Sequence, residues 1–348
     1  MSKIFELLEI LSKTNYLSGN ESTYKNQSIP EPFFALGASL DCYGNLIVEK
    51  KSPDKNAKTI LIEAHLDTIG LCVKDILPGG FLAVSASGGF DPNILPGTEF
   101  KIYSKSTVKG IATSVPPHLQ KSKDGNQKLD LNEIYLDCGF SSDEEAKAHI
   151  EIGAPIEFSA PCQKLCDHCI SAPSLDNKAA VAALILAIEK VQSPHNLIFL
   201  FSVGEETTSR GVKQIDLRVK PDVAFVVDAG FAYTKGLNPD QCIIMQKGPS
   251  ISIADTLSRS VAQWVITTAK KNDFPLQIVV EPGGTGTSGT ALQLRYGGIP
   301  CGLISIPLKY MHTPSEVVCE TDVESTSDLL CLLLQEKELV FGEVNLVG

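Results

Sequence analysis

Two adjacent carboxylates, Glu205 and Glu206, end an apolar run that reaches back through HNLIFLFSVG at 195–204. The run has the length and the β-branched and aromatic content of a buried strand. Neighbouring carboxylates at the end of such a strand repel each other, so either a cation holds them or one of them is protonated. A cation with a free carboxylate beside it could carry out metal-assisted acid-base chemistry.

Further acids and histidines occupy comparable positions, at the end of an apolar run or at the start of a predicted helix. In open α/β sheets, ligand sites form at the carboxyl ends of the strands. We therefore expect these side chains to converge with the two glutamates at one edge of a sheet. They are His65 and Asp67, Asp176 at the helix start, Asp228, and His312.

Five acids and two histidines at one edge would repel each other strongly without cations. Two divalent ions would remove this repulsion if one carboxylate bridged them and each ion took one histidine and one further carboxylate. One carboxylate would remain as a proton carrier. Zinc suits mixed nitrogen and oxygen donors, and cobalt or manganese could replace it. Each residue alone is more often a cap or turn residue, so the hypothesis depends on their convergence.

The predicted strands and helices that must position these residues indicate an α/β sandwich with a mixed sheet. Residues 58–73 predict one strand, whereas the stretch from about 77 to 161 is rich in Gly, Pro and Ser and indicates small strands joined by turns. We therefore predict a catalytic domain made of 1–72 and 164–348, with a β-rich domain inserted at 73–163. Central strands are predicted at 197–203, 223–229 and 301–307, and helices at 175–191, about 255–271 and about 319–336.

Composition limits the classes of partner. A chain of 348 residues exceeds the size of a single core, which favours two structural units. The net charge of −11 argues against a basic face for nucleic acid or anionic lipid. Charged residues interrupt the apolar stripe of segment 1–21, which therefore lacks the apolar block of a signal peptide, and no other run predicts a membrane span. We expect a cytoplasmic protein with neither a nucleic-acid nor a membrane partner.

The ten cysteines are scattered along a chain without a predicted export signal, so we expect reduced thiols rather than disulfides. Cys162, Cys166 and Cys169 lie beside His168 and could ligate zinc, but their spacing fits no common zinc knuckle. Ordinary buried cysteines are the favoured interpretation. The other histidines, with no predicted role in the site, are His118, His149 and His195.

The spaced set of motifs resembles the tetrahedral aminopeptidases and their glutamyl and deblocking relatives, a family of two-metal metallopeptidases. The resemblance runs almost the whole length of the chain, and the set is specific although any one motif would not be. The motifs are LSGNES (17–22), HLDTIG (65–70), VPPHL (115–119), LDNKAA (175–180), EE (205–206), VDAG (227–230), KGPSI (247–251), GGTGTSGTA (283–291) and IPLKYMHTPSE (306–316).

The resemblance implies a specific set of metal ligands. Asp176 would bridge the two ions. His65 and Asp228 would complete the first ion, and Glu206 and His312 would complete the second.

It also implies the catalytic roles and the architecture. Glu205 would be the general base that takes a proton from a metal-bridging water and delivers it to the leaving amine, and Asp67 would orient the imidazole of His65. The implied activity is removal of N-terminal residues from short peptides by a metal-bridging hydroxide. The implied fold is a phosphorylase/hydrolase-like sandwich of the zinc-peptidase type, with an inserted PDZ-like β-barrel used in assembly of a homo-oligomer, up to a dodecamer.

Three departures from the family pattern leave substrate preference and turnover open. The chain has Gly-Thr-Ser at 286–288 where the family commonly has Gly-Thr-Asp, Lys309 where it has Arg, and Thr-Thr-Ser at 207–209 in place of a small apolar triplet. None of them removes a ligand. The alternatives are a related two-metal amidohydrolase, such as a deacylase or carboxypeptidase, a glycosidase that uses the paired carboxylates, and a non-catalytic homologue that binds peptides or serves in assembly.

Overall fold

The computed structural model describes residues 2–14, 16–21, 29–116, 129–339 and 341. It contains an eight-stranded sheet, a closed barrel of six strands and a small sheet of three strands. The predicted mixed α/β architecture with a β-barrel is confirmed, whereas the PDZ-like and zinc-peptidase classifications and the domain boundaries stay predictions. His118, with the rest of VPPHL from residue 117, and Ser22 lie outside the described residues. In the described ranges, no helix combines the length and apolarity needed to cross a membrane.

The large sheet carries four parallel strands at its centre, in the order β12, β3, β13, β16. Their side chains are almost all buried, because helices cover both faces. Parallel strands bring their carboxyl ends to one edge. The eight strands are β1 (Ser39–Leu40), β2 (Leu46–Lys50), β3 (Thr59–His65), β12 (Asn196–Ser202), β13 (Val223–Phe231), β14 (Ser250–Ala254), β15 (Gln277–Glu281) and β16 (Cys301–Leu308).

The helices divide between the two faces of this sheet. One face packs against α1 (Lys3–Ser12), α3 (Leu175–Lys190), α6 (Arg259–Lys271) and α8 (Glu320–Gln335). α3 is apolar on all sides, and its residues from Leu175 to Ile188 are buried, which is typical of a helix inside a core. The other face packs against two short helices that were not predicted, α5 (Arg210–Gln214) and α7 (Gly289–Gln293). A third unpredicted short helix, α4 (Glu205–Thr208), follows β12.

The barrel has a hydrophobic core of its own. The prediction of one strand over 58–73 is wrong, because the chain leaves the large sheet after His65 and enters the barrel at Gly70. A side chain at Gly70 would meet the carbonyl oxygen of Ile156 at 2.5 Å, so only glycine fits this close approach. The barrel strands are β4 (Gly70–Ile76), β5 (Leu82–Ser87), β6 (Glu99–Tyr103), β7 (Thr107–Thr113), β8 (Tyr135–Asp137) and β9 (Pro155–Phe158), with helix α2 (Asp143–His149) beside them.

A small antiparallel sheet joins β10 (Gln163–Lys164), β11 (Cys169–Ala172) and β17 (Glu316–Cys319). Its register places Cys169 opposite Cys319, and a disulfide joins them. The expectation of reduced thiols is therefore wrong for this pair, because strand pairing brings together two residues that are distant in sequence. Cys162 and Cys166 are free, and no cysteine belongs to a metal-binding group among the described residues.

Candidate metal centre

The parallel strands deliver the predicted ligands to one edge of the sheet. His65 is the last residue of β3, and Asp228 lies near the end of the neighbouring β13. Glu206 lies in α4, just after β12, and His312 follows β16. Asp176 reaches the same edge from the start of α3.

The five side chains form two ligand groups that share Asp176. In the first, His65 Nε2 lies 3.2 Å from Asp176 Oδ1 and 3.5 Å from Asp228 Oδ1. In the second, His312 Nε2 lies 3.4 Å from Asp176 Oδ2 and 3.5 Å from Glu206 Oε2. Asp176 thus presents one oxygen to each group, which is the arrangement expected of a bridging carboxylate.

The chemistry of the donors fits two divalent cations. Each group offers one imidazole nitrogen and two carboxylates, with ligand atoms within 4.8 Å of one another. Glu206 Oε1 is buried without a hydrogen-bond partner. No lysine or arginine of the described ranges forms an ion pair with Asp176, Glu206 or Asp228. A buried cluster of acids with only histidines as partners is stabilised when cations bind it.

The pKa values of the acids and histidines in the two ligand groups are shifted strongly. Burial raises the pKa of Asp228, and burial together with the charge of Asp176 raises that of Glu206 well above its usual range. Burial alone would lower the pKa of His312, but its hydrogen bond to Asp176 and the charge of Glu206 raise it to about 9. Burial opposes ionisation of His65 as well, yet Asp228 and Asp176 raise its pKa well above normal. The carboxylates therefore favour positive charge at this edge of the sheet.

Glu205 lies beside both groups but belongs to neither. Burial raises its pKa to about 8, with the charges of Asp228 and Asp67 acting in the same direction and His65 against it. Its position beside both groups, without membership of either, suits a proton carrier.

Asp67 contacts His65 through a different atom from the one predicted. The carbonyl oxygen of Asp67 lies 2.9 Å from His65 Nδ1, whereas its carboxylate lies 3.8 Å away. The carboxylate instead accepts hydrogen bonds from the backbone N–H of Glu205 at 2.9 Å and of Glu206 at 3.2 Å. Asp67 therefore fixes the imidazole with its backbone and the start of α4 with its side chain.

Glu316 is a buried acid in the site to which sequence reasoning gave no role. Its carboxylate accepts hydrogen bonds from the backbone N–H of Asp176 at 2.9 Å and of His312 at 2.6 Å. Burial and the charge of Asp176 raise its pKa to about 8. The motif IPLKYMHTPSE contains Glu316, but only the pairing of β17 with β11 places it beside the start of α3.

The two groups form the polar floor of a cavity of about 490 Å³. Its walls are mainly apolar and include Phe231, Ile243, Val280 and Met311. A cavity with a few convergent polar groups and apolar walls is typical of sites that bind small ligands. His149 and His195 lie elsewhere, the former stacked on Phe140 and the latter hydrogen-bonded to the carbonyl of Glu336.

Comparisons with known proteins agree with this geometry. A profile of the M42 glutamyl aminopeptidase family matches residues 44–329. The lysyl aminopeptidase of Pyrococcus furiosus is 31% identical over 303 residues, which cover 85% of this chain and 86% of that protein. An aminopeptidase structure from the archaeon Desulfurococcus kamchatkensis superposes with a TM-score of 0.85 at 26% identity, covering 96% of this chain and 94% of that one.

The TET1 peptidase of Pyrococcus horikoshii, which can assemble into a tetrahedron or a large octahedral shell, superposes with a TM-score of 0.83 at 28% identity. That match covers 96% of this chain and 100% of the other. The profile match extends over most of the chain, from β2 to the middle of α8. The chain therefore belongs to the M42 glutamyl aminopeptidase family.

Proposed function

We propose that the protein is an aminopeptidase that requires two divalent metal ions and removes N-terminal residues from short peptides. The observation that carries this proposal is the pair of ligand groups that share Asp176, with Glu205 beside them in the cavity. Family membership supports the reaction class, and the relatives include proteins named lysyl and glutamyl aminopeptidase. Zinc suits the donor set best, and cobalt or manganese could replace it.

His65 and Asp228 would hold one ion, Glu206 and His312 the other, and Asp176 both. When bound, such ions lower the pKa of a coordinated water and polarise the scissile carbonyl.

Glu205 performs the proton transfers in this proposal. Its carboxylate takes the proton of the attacking water and, as the acid, returns it to the nitrogen of the leaving amine. Two contacts of Asp67 keep this carboxyl group in place, because its side chain holds the backbone N–H of both Glu205 and Glu206.

The proposed reaction requires a substrate with a free N-terminus. The free α-amine of the peptide would bind a metal ion or an acid beside it, such as Glu205, which lines the cavity. N-acetylation converts this amine into an amide, which cannot take that place, and adds bulk there. We therefore expect cleavage to be confined to the first residue of peptides with a free amine.

We also propose that the chain self-associates into a homo-oligomer, with a dodecamer as the expected size. The support is the likeness to the TET1 peptidase and the inserted barrel, which the predicted boundaries of 73–163 assign to assembly. Native mass spectrometry counts the subunits directly. A purely monomeric protein at micromolar concentration would contradict the proposal.

The test of the reaction is a metal-restoration assay on the purified protein. The chelated protein receives zinc, cobalt or manganese, and release of N-terminal residues is followed from a mixed library of free and N-acetylated peptides. We expect release from free peptides only. In Glu205→Gln, kcat should fall by about 10²- to 10⁴-fold while both ions stay bound.

The matched control is Glu144→Gln, the same change at an exposed position of α2 in the barrel, which should have no effect. Release that survives chelation would contradict metal dependence. Activity on N-acetylated peptides alone would indicate a deacylase, and two bound ions without any turnover would indicate a non-catalytic homologue.

A further inference from the structure

Segment 283–288 forms part of the cavity wall next to the metal centre. Thr285, Gly286 and Thr287 line the cavity. Gly283 and Gly286 have φ angles of +99° and +68°, a backbone region that favours glycine. A glycine-rich segment has a large conformational freedom to lose, so other contacts must fix its position.

Ser288 ends this segment and precedes α7. Its hydroxyl donates a hydrogen bond of 2.5 Å to Glu63 Oε2 in β3. The segment also accepts hydrogen bonds from Thr256 Oγ1 to the carbonyl of Gly283 at 3.3 Å, from the backbone N–H of Gly289 to Thr287 Oγ1 at 3.3 Å, and from the backbone N–H of Leu292 to the carbonyl of Ser288 at 2.9 Å. The contact with Glu63 is shorter and joins the segment to the central sheet.

Glu63 is itself an unusual residue for its place. It lies within β3, is fully buried, and points to the same side of the sheet as His65 two residues later. Its other oxygen accepts a hydrogen bond of 2.5 Å from the hydroxyl of Ser202, at the end of β12. No lysine or arginine of the described residues forms an ion pair with it. A buried carboxylate without a cation is costly, and the two hydroxyl donors offset this cost.

Position 288 departs from the family pattern. The resemblance noted from the sequence predicts Asp at 288, and this chain has Ser288 there. The structure places a carboxylate against position 288 from the opposite side, on β3. A carboxylate therefore remains at this contact although residue 288 no longer supplies it.

We propose that Glu63 is a positioning residue that holds the cavity-lining segment 283–288 through Ser288 and so sets the affinity of the site for the N-terminal residue of its substrate. The inference has two tests, a kinetic one and one by hydrogen exchange, and the kinetic test rests on the aminopeptidase activity proposed above. Glu63 does not line the cavity, and its contact with the segment is through Ser288.

The first experiment compares Ser288→Ala with Ser202→Ala. Each variant removes one hydroxyl donor from the same carboxylate, and both serines are 1% exposed. In Ser288→Ala we expect KM for peptides to rise about tenfold with kcat and bound metal nearly unchanged, because a hydrogen bond to a carboxylate is lost. In Ser202→Ala, which leaves the segment attached, we expect KM to stay at the wild-type value.

The second readout needs no activity. Hydrogen exchange followed by mass spectrometry should show faster exchange in the peptide that covers 283–289 for Ser288→Ala and Glu63→Ala, and no change there for Ser202→Ala. The double variant Glu63→Ala with Ser288→Asp removes the carboxylate from residue 63 and places one at residue 288, on the other side of the same contact. It should restore both slow exchange and a low KM.

Equal changes of KM in the two serine variants would overturn the proposal, because they would indicate a general effect on the sheet. Wild-type exchange at 283–289 in Ser288→Ala would overturn it as well. If the wild-type protein cleaves no peptide, the proposed function fails, while the exchange experiment still decides whether Glu63 fixes the segment.

Discussion

The two halves of the candidate metal centre, His65 with Asp228 and Glu206 with His312, differ in how they are built. His65 and Asp228 lie on the central strands β3 and β13 and are 2% and 5% exposed. Glu206 and His312 are held by a four-residue helix and by a loop; the Glu206 side chain is only 6% exposed, and it is His312, at 33%, that opens this half to the cavity. The first half is thus part of the rigid core, whereas the second can change without disturbing the sheet. We expect the buried half to contribute to folding stability and the open half to exchange its ligands and metal more readily.

The largest effect should come from the residue that the two halves share. Asp176→Ala removes one oxygen from each group, so we expect loss of both ions and a fall in kcat/KM of at least about a thousandfold. Elemental analysis of the purified variant counts the ions. Asp222→Ala is the control, because Asp222 holds the opposite end of β3 through the backbone N–H of Thr59. Retention of one ion in Asp176→Ala would show that the halves are independent.

Substitution of one histidine at a time tests each half of the site separately. His312→Ala should lose one ion and keep a melting temperature close to that of the chelated wild type. His65→Ala should also lose one ion but melt roughly 5 °C lower, because it leaves a buried cavity beside unpaired carboxylates. Calorimetry of both chelated variants measures the difference. Equal melting temperatures would mean that burial does not distinguish the two halves.

Asp67 connects the halves, since it contacts His65 with its carbonyl and both glutamates with its carboxylate. Asp67→Asn keeps one acceptor oxygen and loses the other, so we expect both ions to remain and kcat to fall about tenfold. Steady-state kinetics at saturating metal test this. Full activity would show that the start of α4 needs no such anchor.

The smallest effect should be a pH dependence of stability in the chelated protein. Raised pKa values of Glu205 and Glu316, both about 8, mean that the folded state keeps protons which the unfolded state loses near pH 4.5. The raised pKa of His312, about 9, acts with the same sign above pH 6.5. Stability is therefore lost as the pH rises from 5 to 9, by a few degrees of melting temperature. Zinc should flatten this dependence, and a melting temperature that rises with pH in the chelated protein would contradict it.

The sequence was sufficient to predict which side chains near strand ends converge, because parallel strands meet at one edge whatever their order, while their role as metal ligands stays a prediction. His65 and Asp228 are examples. It was not sufficient for Glu63 and Glu316, since a buried acid inside a strand or after a turn has no periodic pattern and its role depends on residues far away. The disulfide of Cys169 was missed for the same reason, because its partner is 150 residues distant.

A predicted boundary was wrong where two strands follow each other closely along the chain. Between β3, which ends at His65, and β4, which begins at Gly70, there are only four residues, and this short break was predicted as part of one strand. The strands β14 and β15 were missed as well. β15 is a half-exposed edge strand, whose burial pattern differs from that of the predicted central strands.

The strand order of the large sheet has a consequence for synthesis of the chain on the ribosome. The barrel uses only Gly70–Phe158 and can fold early, but β16 lies between β13 and β14 and emerges near the end of the 348 residues. Until then β13 presents an open edge, which is prone to wrong pairing. The second ligand group also waits for His312, so only the first group, which Asp228 completes, could bind a metal ion before β16 is made. A nascent chain of this protein therefore exposes the edge of β13 while residues 232–300 are synthesised, the period in which a chaperone would be needed.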